Sequence, residues 1–177
     1  MEPSEESAVI DSLRCEQANA TLLYLEYKGY HWNVAGALFH DLHLLFDDHA
    51  KTVLETIDPL AERQRILGAK AEYQIAPLRR YAALSPDGPL PDTPREMVER
   101  LLDAHRQVVR GLRTGIALAN RAGDAGSADL LTRTLLVHEK MEWFLRELLE
   151  GRSALLAEPV EPSPAGPRSE GVAQMGL

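Results

Sequence analysis

The chain has 177 residues, of which 45% are hydrophobic, which suits one globular domain with a regular core. It carries 27 acidic against 19 basic residues, and the formal net charge of −8 favours cations over nucleic acid or anionic membranes as partners. Cys15 is the only cysteine, which excludes an intrachain disulfide and a cysteine-rich metal site. The acidic start is unlike a signal peptide, and we expect a cytoplasmic protein without a membrane-spanning segment.

Two long helical patterns fill the first part of the chain. Apolar residues recur at helical spacing over residues 4–30, and a second pattern runs over residues 38–67. Gly68 follows the second pattern directly and predicts a C-cap. Pro59 lies inside it and removes one backbone hydrogen bond, which predicts a kink rather than a break.

The next segment, residues 69–92, is rich in proline and predicts a long connection with one short helix near residues 76–83. Thr93, Pro94 and Glu96 then form a capping box with proline at the first helical position, which starts a third helix that ends near residue 122. After Gly123, a cap at Asp124 or Ser127 begins a fourth helix. This order predicts an all-α four-helix bundle with a long connection between helices two and three.

The last residues differ in composition from the rest. Residues 158–177 contain several prolines and few apolar residues, which predicts a disordered C-terminal tail. We therefore place one folded domain at residues 1–157.

The second helix carries a stripe of residues that could bind a metal. At about 100° per residue, His43, Asp47, Asp58 and Glu62 fall at about 0°, 40°, 60° and 100°, so all four lie on one face. His–Asp and Asp–Glu pairs at i, i+4 offer nitrogen and oxygen donors that suit Fe²⁺. The simpler reading of the same stripe is a solvated or interfacial helix face.

The spacing of these pairs decides where a metal can sit. Asp47 and Asp58 lie about 16 Å apart along the axis, and His43 and Glu62 about 28 Å. Metal–ligand bonds measure only about 2 Å, so one chain cannot close the site. If the same helix of a second subunit packs antiparallel about a two-fold axis, the two pairs meet and form two identical sites.

Several segments together resemble a known family. Residues 30–36 read Tyr-His-Trp-Asn-Val-Ala-Gly, and residues 58–63 read Asp-Pro-Leu-Ala-Glu-Arg. Between and after them come Phe39, Leu42-His43, Phe46-Asp47 and Leu67-Gly68. A weaker match, His138-Glu139-Lys140 with Trp143-Phe144-Leu145, lies in the fourth helix. This pattern is similar to the signature of the Dps family, the DNA-binding proteins from starved cells, which form dodecameric ferritin-like cages.

The resemblance implies a ferroxidase site at the two-fold interface. His31, His43 and Asp47 of one subunit would face Asp58 and Glu62 of its partner, with the latter pair holding the tighter iron. Trp32 would be the nearest oxidisable aromatic residue, although interface packing explains its presence equally well. The implied reaction is oxidation of Fe²⁺ by hydrogen peroxide or O₂, with storage of ferric mineral and protection against oxidative damage. Zinc or manganese could substitute for iron.

The other histidines and acidic residues are weaker candidates for metal binding. No Glu is followed three residues later by His, which disfavours a di-iron site inside one bundle. His40 lies one turn before His43 and could reach the same stripe, whereas His49, His105 and His138 are expected to be exposed or at the core edge. Two aspartates, Asp124 and Asp129, resemble the acidic lining of a three-fold iron pore, but helix capping explains them equally well.

Two rival functions remain. One is a nucleoid-compacting DNA-binding protein with little ferroxidase activity, and the other is a helical dimer whose stripe is only interface polarity. DNA binding is disfavoured because the first dozen residues lack Lys and Arg, and because Arg168 is the only basic residue from residue 158 onward.

We expect plasmid DNA to migrate unretarded with this protein at physiological salt, because an acidic surface repels phosphate. A gel mobility assay over a series of salt concentrations measures this. A retarded band at physiological salt would contradict the expectation, whereas retardation at low salt alone would not.

Overall fold

The computed structural model describes residues 5–86 and 88–150, and this part of the chain is entirely helical apart from its loops. Five helices follow in order: α1 Glu5–Asn33, α2 Phe39–Ile66, α3 Ile75–Tyr81, α4 Pro94–Arg121 and α5 Ala125–Glu150. α1 packs mainly along α2, α4 packs along α5, and α1 also contacts α4. The four long helices form a bundle, as predicted, and the short α3 lies in the connection between α2 and α4. The predicted tail, residues 158–177, lies outside the described residues.

The α1–α2 pair forms because each helix presents an apolar stripe to the other. Leu23 and Tyr27 of α1 and Leu42 and Phe46 of α2 are buried in the common core. The turn between the helices contains Gly36 at φ 101°, a backbone conformation that glycine adopts without strain. This tight turn sets the last turn of α1 against the first turns of α2.

Pro59 does not interrupt α2, which is continuous from residue 39 to residue 66. The proline removes the hydrogen bond that the carbonyl of Glu55 would accept. Both Pro59 and Glu55 are exposed, so water can satisfy that carbonyl. α2 therefore holds its polar side chains along one uninterrupted rod.

Local sequence signals fix the connection and the second helix pair. Thr93 and Glu96 make the reciprocal capping box at the start of α4, as predicted. Before it, the side-chain oxygen of Asn19 on α1 accepts hydrogen bonds from the backbone of Ala83 and Leu84, at 2.9 and 3.0 Å. The connection after α3 is thereby anchored to the bundle. At the other end, Asp124 accepts from the backbone N–H of Ser127 at 2.9 Å and caps α5.

The burial of several polar residues departs from the expectations above. His49, His105 and His138 were expected at the surface or core edge, but they are 6%, 0% and 1% exposed. Each lies at helical spacing from apolar core neighbours of its own helix, which turns it inward. Cys15 is half-buried. None of the described helices is long and apolar enough to cross a membrane.

A buried carboxyl group lies where α1 meets α4. Glu16 is 3% exposed and accepts one hydrogen bond, from Asn19 at 3.0 Å. A Cβ at Gly111 of α4 would collide with this carboxylate, so any other residue there would force the Glu16 side chain to move. Burial raises the pKa of Glu16 to about 7.

We expect Glu16→Gln to stabilise the protein at pH 8 by up to about 3 kcal/mol, and by much less at pH 5. The folded-state pKa lies above the ordinary value of 4.5, so the cost of ionising the carboxyl appears above pH 4.5 and is complete above about pH 7. Calorimetric unfolding temperatures at the two pH values measure the effect.

The exposed Glu55→Gln on α2 serves as the control and should change little at either pH. A stabilisation by Glu16→Gln that is equal at both pH values would contradict the titration of Glu16 in this range.

Candidate metal centre

His31 and His43 are held together by a pair of reciprocal hydrogen bonds. The Nδ1–H of His31 donates to the carbonyl of His43 at 2.8 Å, and the Nδ1–H of His43 donates to the carbonyl of His31 at 2.8 Å. The two rings stack with centroids 3.8 Å apart. The turn at Gly36 allows this contact because it brings the end of α1 beside the start of α2.

This arrangement fixes the tautomer of both rings. A backbone carbonyl can only accept, so each Nδ1 must carry a proton and each neutral ring has its lone pair on Nε2. A hydrogen bond from the second ring nitrogen is also how proteins orient metal-binding histidines. Both imidazoles are half-buried and are prepared as Nε2 donors to a cation.

Asp47 lies one turn further along α2 and is paired with two lysines. Lys28 of α1 reaches one carboxylate oxygen at 2.8 Å, and Lys51 of α2 reaches the other at 2.7 Å. These contacts, led by the hydrogen bond from Lys28, hold the pKa of Asp47 well below its usual range. Lys28 is 19% exposed and Lys51 is 65% exposed, so Lys51 is the partner that an incoming cation can more easily displace.

Asp58 and Glu62 lie far from this group. Both are exposed, and neither has a hydrogen-bond or ion-pair partner among the described residues. Because α2 is continuous, Asp47 and Asp58 lie about 16 Å apart along its axis, and His43 and Glu62 lie about 28 Å apart. The described part of one subunit brings no three histidine, cysteine or acidic side chains into an arrangement that could hold a metal ion. One subunit thus presents two separate groups of donors.

Trp32 is 68% exposed at the end of α1. The ammonium of Lys28 lies over its ring, 5.8 Å from the centroid. On the other side, the ring of Phe39 lies 5.1 Å from that of His43. Exposed aromatic residues of this kind beside a polar group are typical of an interface.

The less specific candidates have partners of their own. His40 is exposed and contacts its neighbour Asp41 at 3.4 Å. Asp124 is held by Arg63 at 2.6 Å and by the hydroxyl of Ser127 at 2.6 Å. Although burial acts in the opposite direction, these hydrogen bonds lower the pKa of Asp124. This geometry favours the capping role of Asp124 over a pore role.

Asp129, the other aspartate considered for a pore, is exposed and pairs with Arg133 one turn along α5, at 3.0 Å. It therefore remains available at the surface.

Sequence reasoning missed a polar network in the centre of the bundle. The hydroxyl of Tyr27 on α1 lies 3.0 Å from Nδ1 of His49 on α2 and 2.7 Å from Nε2 of His105 on α4. Nδ1 of His105 lies 2.9 Å from Nδ1 of His138 on α5. Each of the four long helices contributes one side chain. The signal was present in the sequence, because His49 and His105 lie three or four residues from buried apolar neighbours on both sides, and His138 lies three residues before buried Met141.

Burial keeps the network uncharged. It lowers the pKa of His49 to about 4 and that of His138 to about 4, and it lowers the pKa of His105 well below its usual value. The pKa of Tyr27 is raised well above its usual value for the same reason. Neutral imidazoles and a neutral phenol thus occupy the centre of the bundle at physiological pH.

Comparison with known proteins identifies the family. The ferritin-like domain family matches residues 10–153. The chain belongs to this family. A Dps from Thermosynechococcus elongatus is 37% identical and superposes with a TM-score of 0.82, over 86% of this chain and 97% of that one. An archaeal Dps homologue from Halobacterium salinarum is 28% identical, with a TM-score of 0.80 over 86% of this chain and 85% of its own.

The curated relatives extend this result. A low temperature-induced protein of Nostoc is 33% identical over 98% of this chain and 94% of its own length. The DNA protection during starvation protein 1 of Deinococcus radiodurans is 29% identical over 85% of this chain and 72% of its own. The chain is therefore a Dps-type mini-ferritin, and this membership supports iron storage as its general role.

In the exposed ion pair, the Lys51 ammonium competes weakly with a bound cation for the Asp47 carboxylate. We expect Lys51→Met, which removes this competitor, to tighten Zn²⁺ binding to this mini-ferritin by roughly twofold to fivefold at low salt. Titration calorimetry of the metal-free protein measures the affinity.

Lys70→Met, an exposed lysine outside this group, is the control and should leave the affinity unchanged. If Lys51→Met weakened Zn²⁺ binding, Lys51 would support the carboxylate rather than compete for it.

Proposed function

We propose that this mini-ferritin oxidises Fe²⁺, with hydrogen peroxide as the preferred oxidant, at sites shared between two subunits, and stores the ferric product. The observation that carries the proposal is the reciprocal His31–His43 pair. It prepares two nitrogen donors beside Asp47, yet residues 5–86 and 88–150 of one subunit bring no group of three such ligands together. Asp58 and Glu62, exposed and without partners among the described residues, are the matching half.

The two halves are complementary in chemistry. Carboxylates without a cationic partner bind a divalent cation most readily, so Asp58 and Glu62 would hold the first Fe²⁺. The neutral imidazoles of His31 and His43, with Asp47, would hold a second Fe²⁺ more weakly because Lys51 must first be displaced. An antiparallel pair of α2 helices about a two-fold axis would bring the halves together twice.

The reaction takes one electron from each of two Fe²⁺ ions. Both electrons enter one peroxide molecule, its O–O bond breaks, and with two protons it leaves as two waters. Hydrolysis of the two Fe³⁺ ions then releases protons and forms mineral. The relation to a Dps protein of Vibrio cholerae, described as a member of a broad superfamily of ferritin-like diiron-carboxylate proteins and 26% identical to this chain, supports this chemistry.

Assembly follows from the same proposal. A shared site requires at least a dimer, and resemblance to Dps proteins favours a dodecameric cage. The net charge of −8 per subunit suits a container for cations and disfavours the alternative of nucleoid compaction.

We expect the double variant Asp58→Ala with Glu62→Ala to lose rapid Fe²⁺ oxidation, because it removes one half of every site. The measurement is ferric absorbance after anaerobic Fe²⁺ loading and a peroxide pulse. Asp48→Ala with Glu55→Ala, which removes two acidic residues of the same helix outside the ligand set, is the control and should oxidise iron normally.

Co-assembly tests the sharing itself. Mixing the Asp58/Glu62 double variant with a second inactive variant, His31→Ala with His43→Ala, regenerates one complete site in each mixed dimer. Random pairing then restores roughly a quarter of the sites. Recovery of activity supports the shared site, and no recovery in verified mixed assemblies would contradict it.

A further inference from the structure

The Tyr27 hydroxyl is the only oxygen of the buried network that joins four helices, and an imidazole lies on each side of it. A phenol has one proton, so one imidazole must accept it while the other donates to the oxygen. The distance to His105, 2.7 Å, is shorter than the 3.0 Å to His49, which favours His105 as the acceptor. In that arrangement His105 donates its Nδ1–H to His138.

This geometry suits the loss of an electron from Tyr27. A phenol that loses an electron becomes a very strong acid, so its proton must leave at the same time. Bulk solvent does not reach the phenol in this core, where Tyr27 and His105 are 0% exposed. The neutral imidazole of His105 is already hydrogen-bonded to the phenol. Once His105 has accepted the phenol proton at Nε2, it can pass its Nδ1 proton to His138.

Tyr27 also lies close to the metal centre. It is one helical turn before His31 on α1, and the next residue, Lys28, contacts Asp47 at 2.8 Å. Its ring lies 6.2 Å from that of Phe46, which directly precedes Asp47. An electron from the phenol would therefore travel only a short distance through packed side chains.

We propose that Tyr27 is a one-electron donor to the ferroxidase site, with His105 as the acceptor of its proton. The inference rests on the proposed function and extends it to a site that holds a single Fe²⁺. Peroxide then receives one electron from Fe²⁺, which becomes Fe³⁺, and one from Tyr27, which becomes a neutral phenoxyl radical. The O–O bond breaks, two protons from solvent complete two waters, and the phenol proton passes to His105. No hydroxyl radical is released.

Trp32 is the rival donor, but its surroundings are less suitable. The ammonium of Lys28 lies over its ring, and a positive charge there opposes the removal of an electron. Trp32 is 68% exposed in the subunit and has no hydrogen-bonded base among the described residues. Tyr27 has both a dry environment and a bonded proton acceptor.

The test is freeze-quench electron paramagnetic resonance of the assembled protein, loaded anaerobically with one Fe²⁺ per shared site and mixed with hydrogen peroxide. Ferric absorbance is recorded on the same samples. We expect a tyrosyl radical in the wild type and its loss in Tyr27→Phe, which keeps the ring and removes the hydroxyl. Tyr24→Phe, one turn earlier on the same helix, should keep the signal.

A second variant guards against misfolding of Tyr27→Phe. It replaces the four other tyrosines, Tyr24, Tyr30, Tyr73 and Tyr81, with Phe, and it should retain the radical. Sedimentation confirms assembly of every variant. A signal that survives in Tyr27→Phe, or disappears in Trp32→Phe, overturns the inference.

The absorbance separates this inference from the proposed function. Rapid ferric formation without any tyrosyl radical would overturn the role of Tyr27 and leave the ferroxidase in place. Ferric formation at only the uncatalysed rate would overturn both.

Discussion

The continuity of α2 is the constraint on which the candidate site depends. A continuous helix rises about 1.5 Å per residue, so its donors at residues 43 and 62 stay about 28 Å apart whatever their side chains do. No side-chain rotation can reduce that distance to a metal–ligand bond. A chain with this ligand pattern either associates with a second copy or leaves its donors unused.

The subunit carries two sets of polar side chains, one buried in the core and the other exposed on α2. In the core, Tyr27, His49, His105 and His138 satisfy one another by hydrogen bonds and stay neutral, which avoids the cost of a buried charge. At the surface, Asp58 and Glu62 are left without partners among the described residues. The core network stabilises one arrangement of four helices, whereas the surface carboxylates keep their capacity for a cation.

The contact between α1 and α2 links the buried network to the His31–His43 pair. Tyr27 and His31 lie one turn apart on α1, and they contact His49 and His43 on α2. A shift of one helix against the other would disturb the buried network and the metal-binding pair together. The packing that secures the fold therefore also orients the two Nε2 donors.

The sequence by itself determined the helices, their caps and four ligand candidates on α2, because these follow from local periodicity and spacing. His31 was added by the family resemblance. The rise of a helix per residue also excluded a metal site closed by the donor pairs of one chain alone. Only the tertiary structure decided that His31 and His43 bind each other's carbonyls, that Lys28 pairs with Asp47, and that three histidines form one network with Tyr27. These contacts join residues far apart in the chain, and helical spacing within one segment does not specify which side chains of other helices lie opposite.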